Sequence, residues 1–91
     1  MGTVIAPDKI DDTTLSEKEY RDRLRELPPS AKLVAKILET DAPLSQGKLA
    51  EESLLPDRTV RYALNRLEQT GLIESRHSVA DARKQVYSLT V

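Results

Sequence analysis

The chain has 91 residues, of which 38% are hydrophobic and 32% charged, a composition typical of one compact soluble domain with a modest core. It contains no cysteine, tryptophan or phenylalanine, so disulfides, thiolate metal sites and a cysteine nucleophile are excluded. No apolar run reaches the length of a membrane span, and residues 1–12 lack a signal-peptide pattern, so we expect a cytoplasmic protein with no membrane partner.

The net charge of −1 is unevenly distributed along the chain. Residues 1–27 carry five basic and seven acidic side chains, and residues 28–56 carry three basic and four acidic ones. Residues 57–91 carry six basic and four acidic side chains, together with the single histidine, His77. Because phosphate binding needs a local positive face rather than a basic average, this last segment is a candidate nucleic-acid surface. Chance variation along the chain is the alternative interpretation.

The N-terminal quarter of the chain is predicted to be a tail followed by a helix. Residues 1–14 show no periodicity, so we expect a flexible tail, with one folded domain over residues 15–91. A helix is predicted over residues 16–27, because Ser16 and Glu19 have the spacing of a capping box.

This first helix has one apolar stripe, formed by Tyr20, Leu24 and Leu27 at helical spacing. Such a stripe can pack against the chain's own core, against a second copy across a two-fold axis, or against both. We expect a homodimer in which these three side chains form the interface.

Two further helices follow. Ser30 is the predicted cap of the second helix, which has a broad apolar face. Ser45 is the predicted cap of a short third helix over residues 46–52. Ser53 to Pro56 then form a predicted turn.

The fourth helix is predicted from a cap at Asp57 to about Thr70, with Gly71 in the left-handed position that ends it. At 100° per residue, its core-facing residues are Val60, Ala63, Leu64 and Leu67. The opposite side and its flanks carry Arg58, Tyr62, Asn65, Gln69, Thr59, Arg61 and Arg66. Arginine pairs with guanine and asparagine with adenine, so this side is a candidate reader of DNA, the alternative being an ordinary solvated helix face.

A β-hairpin is predicted to close the domain, with strands over residues 72–76 and 85–91 around a polar loop. Two short helices followed by a hairpin predict a winged helix-turn-helix. The expected fold class is therefore mainly α with a small hairpin (α+β), built from three to four helices and a two- to three-stranded wing. Basic side chains of the wing, namely Arg76, Arg83 and Lys84, join the candidate DNA-binding residues.

Residues 49–52 and 58–73 resemble the helix-turn-helix of the multiple-antibiotic-resistance regulator (MarR) family. A Thr-Val pair, a leucine, a Leu-Glu pair and Gly-Leu-Ile occur at matching spacing, and Asp81-Ala82-Arg83 before Leu89-Thr90 is similar to the family's wing. The resemblance covers residues 29–91. It implies that Thr59, Arg61, Tyr62 and Asn65 face DNA, and that Arg83, braced by Asp81, reaches the minor groove.

The sequence departs from the family where it stops at Val91, before the long C-terminal helices that usually complete the dimer. We therefore expect the first helix to supply the dimer contact. Members of the family often bind small phenolic ligands between those helices and the DNA-binding part. Because the helices are missing from this sequence, we do not expect a small-molecule effector.

The function predicted from the sequence is sequence-specific binding of double-stranded DNA by a transcriptional regulator. The recognition helix, residues 57–70, would enter the major groove, and the wing, residues 77–84, the minor groove. The alternative is a winged-helix protein-interaction module in transcription or chromosome machinery. We expect no enzyme, cofactor or metal site, because the carboxylates form no catalytic pairing and one histidine is too few ligands. His77 is interpreted as an ordinary surface residue, although a histidine there could also contact phosphate.

Overall fold

A computed structural model describes residues 15–79 and 84–90, and the predicted tail, residues 1–14, lies outside them. The described part of the chain contains four helices: α1 (Glu17–Arg25), α2 (Pro29–Thr40), α3 (Gln46–Ser53) and α4 (Asp57–Gln69). It also contains three strands: β1 (Leu44–Ser45), β2 (Ile73–His77) and β3 (Gln85–Leu89). The predicted fold class, a winged helix-turn-helix, is confirmed.

Two helices begin at the serine caps that the sequence predicts. At the start of α1, the Ser16 hydroxyl accepts a hydrogen bond from the Glu19 backbone N–H, and the Glu19 carboxylate accepts one from the Ser16 N–H. At the start of α3, the Ser45 hydroxyl accepts from the Lys48 N–H at 3.2 Å. Both caps satisfy backbone donors that have no partner within the helix.

The other two helices begin earlier than predicted, and the proposed caps at Ser30 and Asp57 are wrong. The N-cap of α2 is Pro28, with Pro29 as the first helical residue, and the N-cap of α4 is Pro56. A proline carbonyl accepts helical hydrogen bonds, and a proline at the first helical position loses no needed donor. Asp57 is therefore inside the first turn, where its charge suits the positive end of the helix dipole.

The core lies between α2, α4 and the sheet, with α1 packed against its side. The apolar stripe predicted for the first helix, Tyr20, Leu24 and Leu27, packs in this core, and two polar contacts also join the α1 helix to the rest of the domain. The Tyr20 hydroxyl donates to the Glu39 carboxylate on α2 at 2.8 Å, and Arg23 Nη1 donates to the Thr70 carbonyl after α4 at 2.9 Å. The largest fully buried side chains are Leu38, Leu49, Leu67, Leu72, Val34 and Val60.

The sheet is antiparallel, with strand order β1-β3-β2. Strand β1 was not predicted as a separate element, since the sequence assigns Ser45 only as the cap of the third helix. Strand β2 starts and ends one residue later than predicted, and β3 ends at Leu89. The hairpin is anchored to the end of α4, because the Thr90 hydroxyl donates to the Gly71 carbonyl at 2.8 Å.

Two left-handed residues mark the ends of α3 and α4. Gly71 follows α4 with a φ of 77°, which confirms the predicted cap. Leu54 follows α3 with a φ of 63°, a conformation that leucine adopts only at a steric cost. No helix in the described residues is long and apolar enough to cross a membrane.

Candidate DNA-binding surface

Helix α4 has one buried side and one exposed side, as predicted. The buried residues are Val60, Ala63, Leu64 and Leu67, all of which join the core. The other side leaves Arg58, Arg61 and Asn65 exposed and Tyr62 at 47% exposure, with Thr59 and Arg66 half-buried. No carboxylate occurs between Arg58 and Leu67, so this side presents hydrogen-bond donors and positive charge to solvent.

Tyr62 and Arg66 form a pair on the surface of α4. Arg66 Nη1 donates a hydrogen bond to the Tyr62 hydroxyl at 3.0 Å, and the guanidinium carbon lies 5.9 Å from the ring centroid. A cation near an aromatic face is attracted by the ring quadrupole. Arg66 therefore contacts both the hydroxyl and the ring of Tyr62, and its remaining N–H groups stay available as donors.

The register of the hairpin places the wing's side chains on two faces. Strand neighbours alternate, and His77 pairs with Gln85 while Ser75 pairs with Tyr87, which packs against the core. These side chains share the face toward the helices. Arg76 pairs with Val86 and so lies on the opposite, outer face of the hairpin. The structure therefore separates Arg76 from the face that carries His77.

Two predicted residues of the wing tip, Asp81 and Arg83, lie outside the described residues. Lys84 directly precedes β3 and is exposed. The Ser78 N–H donates to the Lys84 carbonyl at 2.8 Å, which continues the pairing of the hairpin beyond β2.

A cleft of about 480 Å³ separates the wing from the first turn of α3, and we call it the wing cleft. Its walls are Ser45, Gln46, Gly47, His77, Lys84, Gln85 and Tyr87. The pKa of the Tyr87 phenol is raised by burial and by the nearby Glu68, with Arg61 acting in the opposite direction, so this phenol is neutral near pH 7. Sequence reasoning treated His77 as ordinary surface; the alternation of Ile73, Ser75 and His77 is the signal that places it here.

The predicted dimer residues Tyr20, Leu24 and Leu27 are 5–6% exposed, because all three pack in the chain's own core. Of the three arrangements considered for this stripe, packing on the chain's own core is the one that the structure shows. The other side of α1 is exposed and charged. In the described residues no group of three or more histidine, aspartate or glutamate side chains is placed to hold a metal ion.

A comparison with protein-family models matches residues 26–84 to the MarR family. No curated protein sequence matches the chain.

Solved structures of regulators resemble the chain at low sequence identity. YusO from Bacillus subtilis is 28% identical, with a TM-score of 0.68, over 79% of this chain and 50% of that one. A C30S mutant of ZitR from Lactococcus lactis is 26% identical, with a TM-score of 0.68, over 71% of this chain and 44% of that one. A probable transcriptional regulator from Pseudomonas aeruginosa shares the fold, with 21% identity and a TM-score of 0.69 over 79% of this chain and 61% of that one. The chain thus spans between 44% and 61% of the length of these three proteins.

Proposed function

This chain belongs to the MarR family, and from that premise we propose that it binds double-stranded DNA sequence-specifically and regulates transcription. The observation that carries the proposal is the exposed side of α4, which combines three arginines, a tyrosine and an asparagine without an intervening carboxylate. Its buried side fixes this orientation, because turning the helix would expose four core residues.

In the proposed complex, α4 lies in the major groove. Arg58, Arg61 and Asn65 are placed to contact base edges or phosphates, since guanidinium pairs with guanine and a carboxamide with adenine. Tyr62, in contact with Arg66, offers a hydroxyl to phosphate or a ring to a thymine methyl. The wing, residues 77–84, lies against the neighbouring minor groove, where cations follow the negative potential.

We also propose that two copies bind together on a palindromic site. One winged helix offers a small interface, and a two-fold pair doubles the contacts and sets the half-site spacing. The exposed side of α1 is the proposed meeting surface. It carries alternating charges, among them the pairs Lys18–Asp22 at 2.8 Å and Arg21–Glu17 at 3.4 Å.

The experiment that tests this function is selection of binding sites from random duplex DNA with the full chain. A specific regulator should enrich one short motif, with two inverted half-sites if it binds as a dimer. The variant Arg61→Ala should enrich it poorly, whereas Lys36→Gln, a loss of charge on α2, should enrich it as the wild type does. Recovery of no motif after repeated rounds would contradict the proposal.

A further inference from the structure

The walls of the wing cleft carry positive charge and no carboxylate among the described residues. Two basic side chains line it, Lys84 before β3 and His77 at the end of β2. Its remaining walls are polar: a serine, two glutamines, a glycine and the neutral phenol of Tyr87. A cleft with this lining suits an anion whose charge is shared by several oxygen acceptors.

The wing cleft lies beside the start of α4. On one side, the Gln46 amide nitrogen lies 3.5 Å from the Asp57 carbonyl oxygen, at the start of α4. On the other side, Tyr87 lies near Glu68 and Arg61 of α4, whose charges act on the pKa of the phenol in opposite directions. DNA seated on α4 would therefore run its backbone past the opening of the cleft.

We propose that the wing cleft receives one backbone phosphate of the bound duplex, and that a protonated His77 shares this phosphate with Lys84. The inference rests on the proposed DNA binding and adds a residue and a property to it. A phosphate contact to an imidazolium is a charge-assisted hydrogen bond, and it is lost when the imidazole becomes neutral. DNA affinity should consequently fall as pH rises from 6 to 8.

The composition of the chain makes this pH dependence traceable to one side chain. His77 is the single histidine and there is no cysteine, so the chain offers one imidazole and no thiol to which a pH dependence between 6 and 8 could be traced. The ionisable groups facing His77 are Lys84 on the wing and Tyr87 on β3, with Glu68 and Arg61 of α4 behind Tyr87.

The test is fluorescence anisotropy with a labelled 24-base-pair duplex of mixed sequence, titrated at several salt concentrations at pH 6 and pH 8. The wild type should bind at least about fivefold more tightly at pH 6 at equal ionic strength, a coupling of ordinary size between two ligands. The slope of log affinity against log salt should stay nearly the same at the two pH values, because Lys84 contacts the same phosphate at both.

Three variants separate this role from a structural one. His77→Gln should bind at both pH values as the wild type does at pH 8, and His77→Arg should bind tightly at both. Lys84→Gln should bind more weakly at both pH values while it keeps the pH difference. If the wild type binds duplex equally at pH 6 and 8, or if His77→Gln keeps the difference, the inference is wrong although DNA binding stands. If the wild type binds no duplex at all, the proposed function itself fails.

Discussion

Asn65 is the residue of α4 whose chemistry is most specific. Its carboxamide is exposed and has the donor and acceptor that pair with adenine in the major groove. We expect Asn65→Ala to reduce the discrimination between a selected site and random duplex by about 1–3 kcal/mol, for the loss of one bidentate contact. The melting temperature should stay unchanged, because the side chain makes no core contact.

The matched control for this change is Gln69→Ala. Gln69 is also an exposed amide, one turn further along α4 and at the end away from the helix start. Gln69 lies on the same side of α4 as Asn65 but at the last residue of the helix, and base contacts come mainly from the N-terminal part of a recognition helix. We therefore expect Gln69→Ala to leave both discrimination and stability as they are, measured by competition between labelled and unlabelled duplexes. An equal loss in the two variants would contradict a base-reading role for Asn65.

Leu54 has an unfavourable left-handed backbone conformation, and its exposed side chain gains no burial that would offset this cost. Its φ is 63°, and its side chain is 89% exposed after α3. We expect Leu54→Gly to raise the free energy of unfolding by about 0.5–1 kcal/mol, because glycine adopts this conformation without a clash.

Gly71→Ala provides the opposite case for this test. Its φ is 77°, and an added Cβ would meet Arg23 Nη1 at 3.4 Å, so this variant should lower the free energy of unfolding. Urea denaturation of both variants checks the pair. A destabilised Leu54→Gly would show that the leucine has a contact that its exposure does not reveal.

At single residues, sequence reasoning succeeded where the relevant interaction is local. The caps at Ser16 and Ser45, and the left-handed Gly71, depend on partners within a few positions. It failed at Ser30 and Asp57, because two proline carbonyls begin those helices earlier than a side-chain cap would. The place of His77 was missed, since it depends on the pairing register with β3.

Among the elements, α1 is joined to α2 by a buried contact that responds to pH. Burial, together with the hydrogen bond to Glu39 and its negative charge, raises the pKa of the Tyr20 phenol well above its ordinary value of about 10. The folded state therefore holds this proton more tightly than the unfolded state. The associated stability is complete below about pH 10 and is lost as the pH rises from there toward the raised pKa.

We therefore expect the free energy of unfolding to fall above pH 10 more steeply in the wild type than in Tyr20→Phe. The difference should approach at most about 1.4 kcal/mol per pH unit for one titrating group. Urea denaturation between pH 9 and 11.5 measures it, with Tyr62→Phe as the control for ionisation of an exposed tyrosine. Parallel curves for the wild type and Tyr20→Phe would contradict the contact with Glu39.

The helices and the hairpin were predictable because the apolar residues of each recur at the spacing of a helix or a strand, and because proline, glycine or polar residues mark where each element ends. Strand β1 was not, because its two residues pair with Tyr87 and Val86 from the far end of the chain. The sequence therefore predicts two to three strands in the wing, and the pairing of β1 with β3 makes the number three in the described residues. The side of α4 that faces solvent was predictable, since four apolar residues at helical spacing fix it.

For the whole molecule, the burial of Tyr20, Leu24 and Leu27 changes how the proposed dimer is tested. Deleting residues 1–27 would remove core side chains, so loss of the dimer in that variant would not locate the interface. We expect the double variant Arg21→Glu/Arg25→Glu to weaken self-association while it stays folded, because both arginines are exposed on α1. Its matched control is Lys32→Glu/Lys36→Glu on α2.

Sedimentation equilibrium at micromolar concentration, with and without duplex, measures this effect. The wild type should reach twice the 10.2 kDa mass of one chain, at least when DNA is bound. A single-chain mass under all conditions would contradict the proposed dimer, and a dimer that survives the charge reversals would place its interface away from the exposed side of α1.

The central claim, that the chain acts by binding DNA rather than by docking on another protein, is tested most directly by the salt dependence of duplex binding. Each phosphate that a basic side chain neutralises contributes about −0.9 to the slope of log affinity against log salt. With six basic side chains in residues 57–91, we expect the wild-type slope to lie between about −3 and −5. A slope near zero, or no binding to duplex even at low salt, would contradict DNA binding and favour a protein-interaction module.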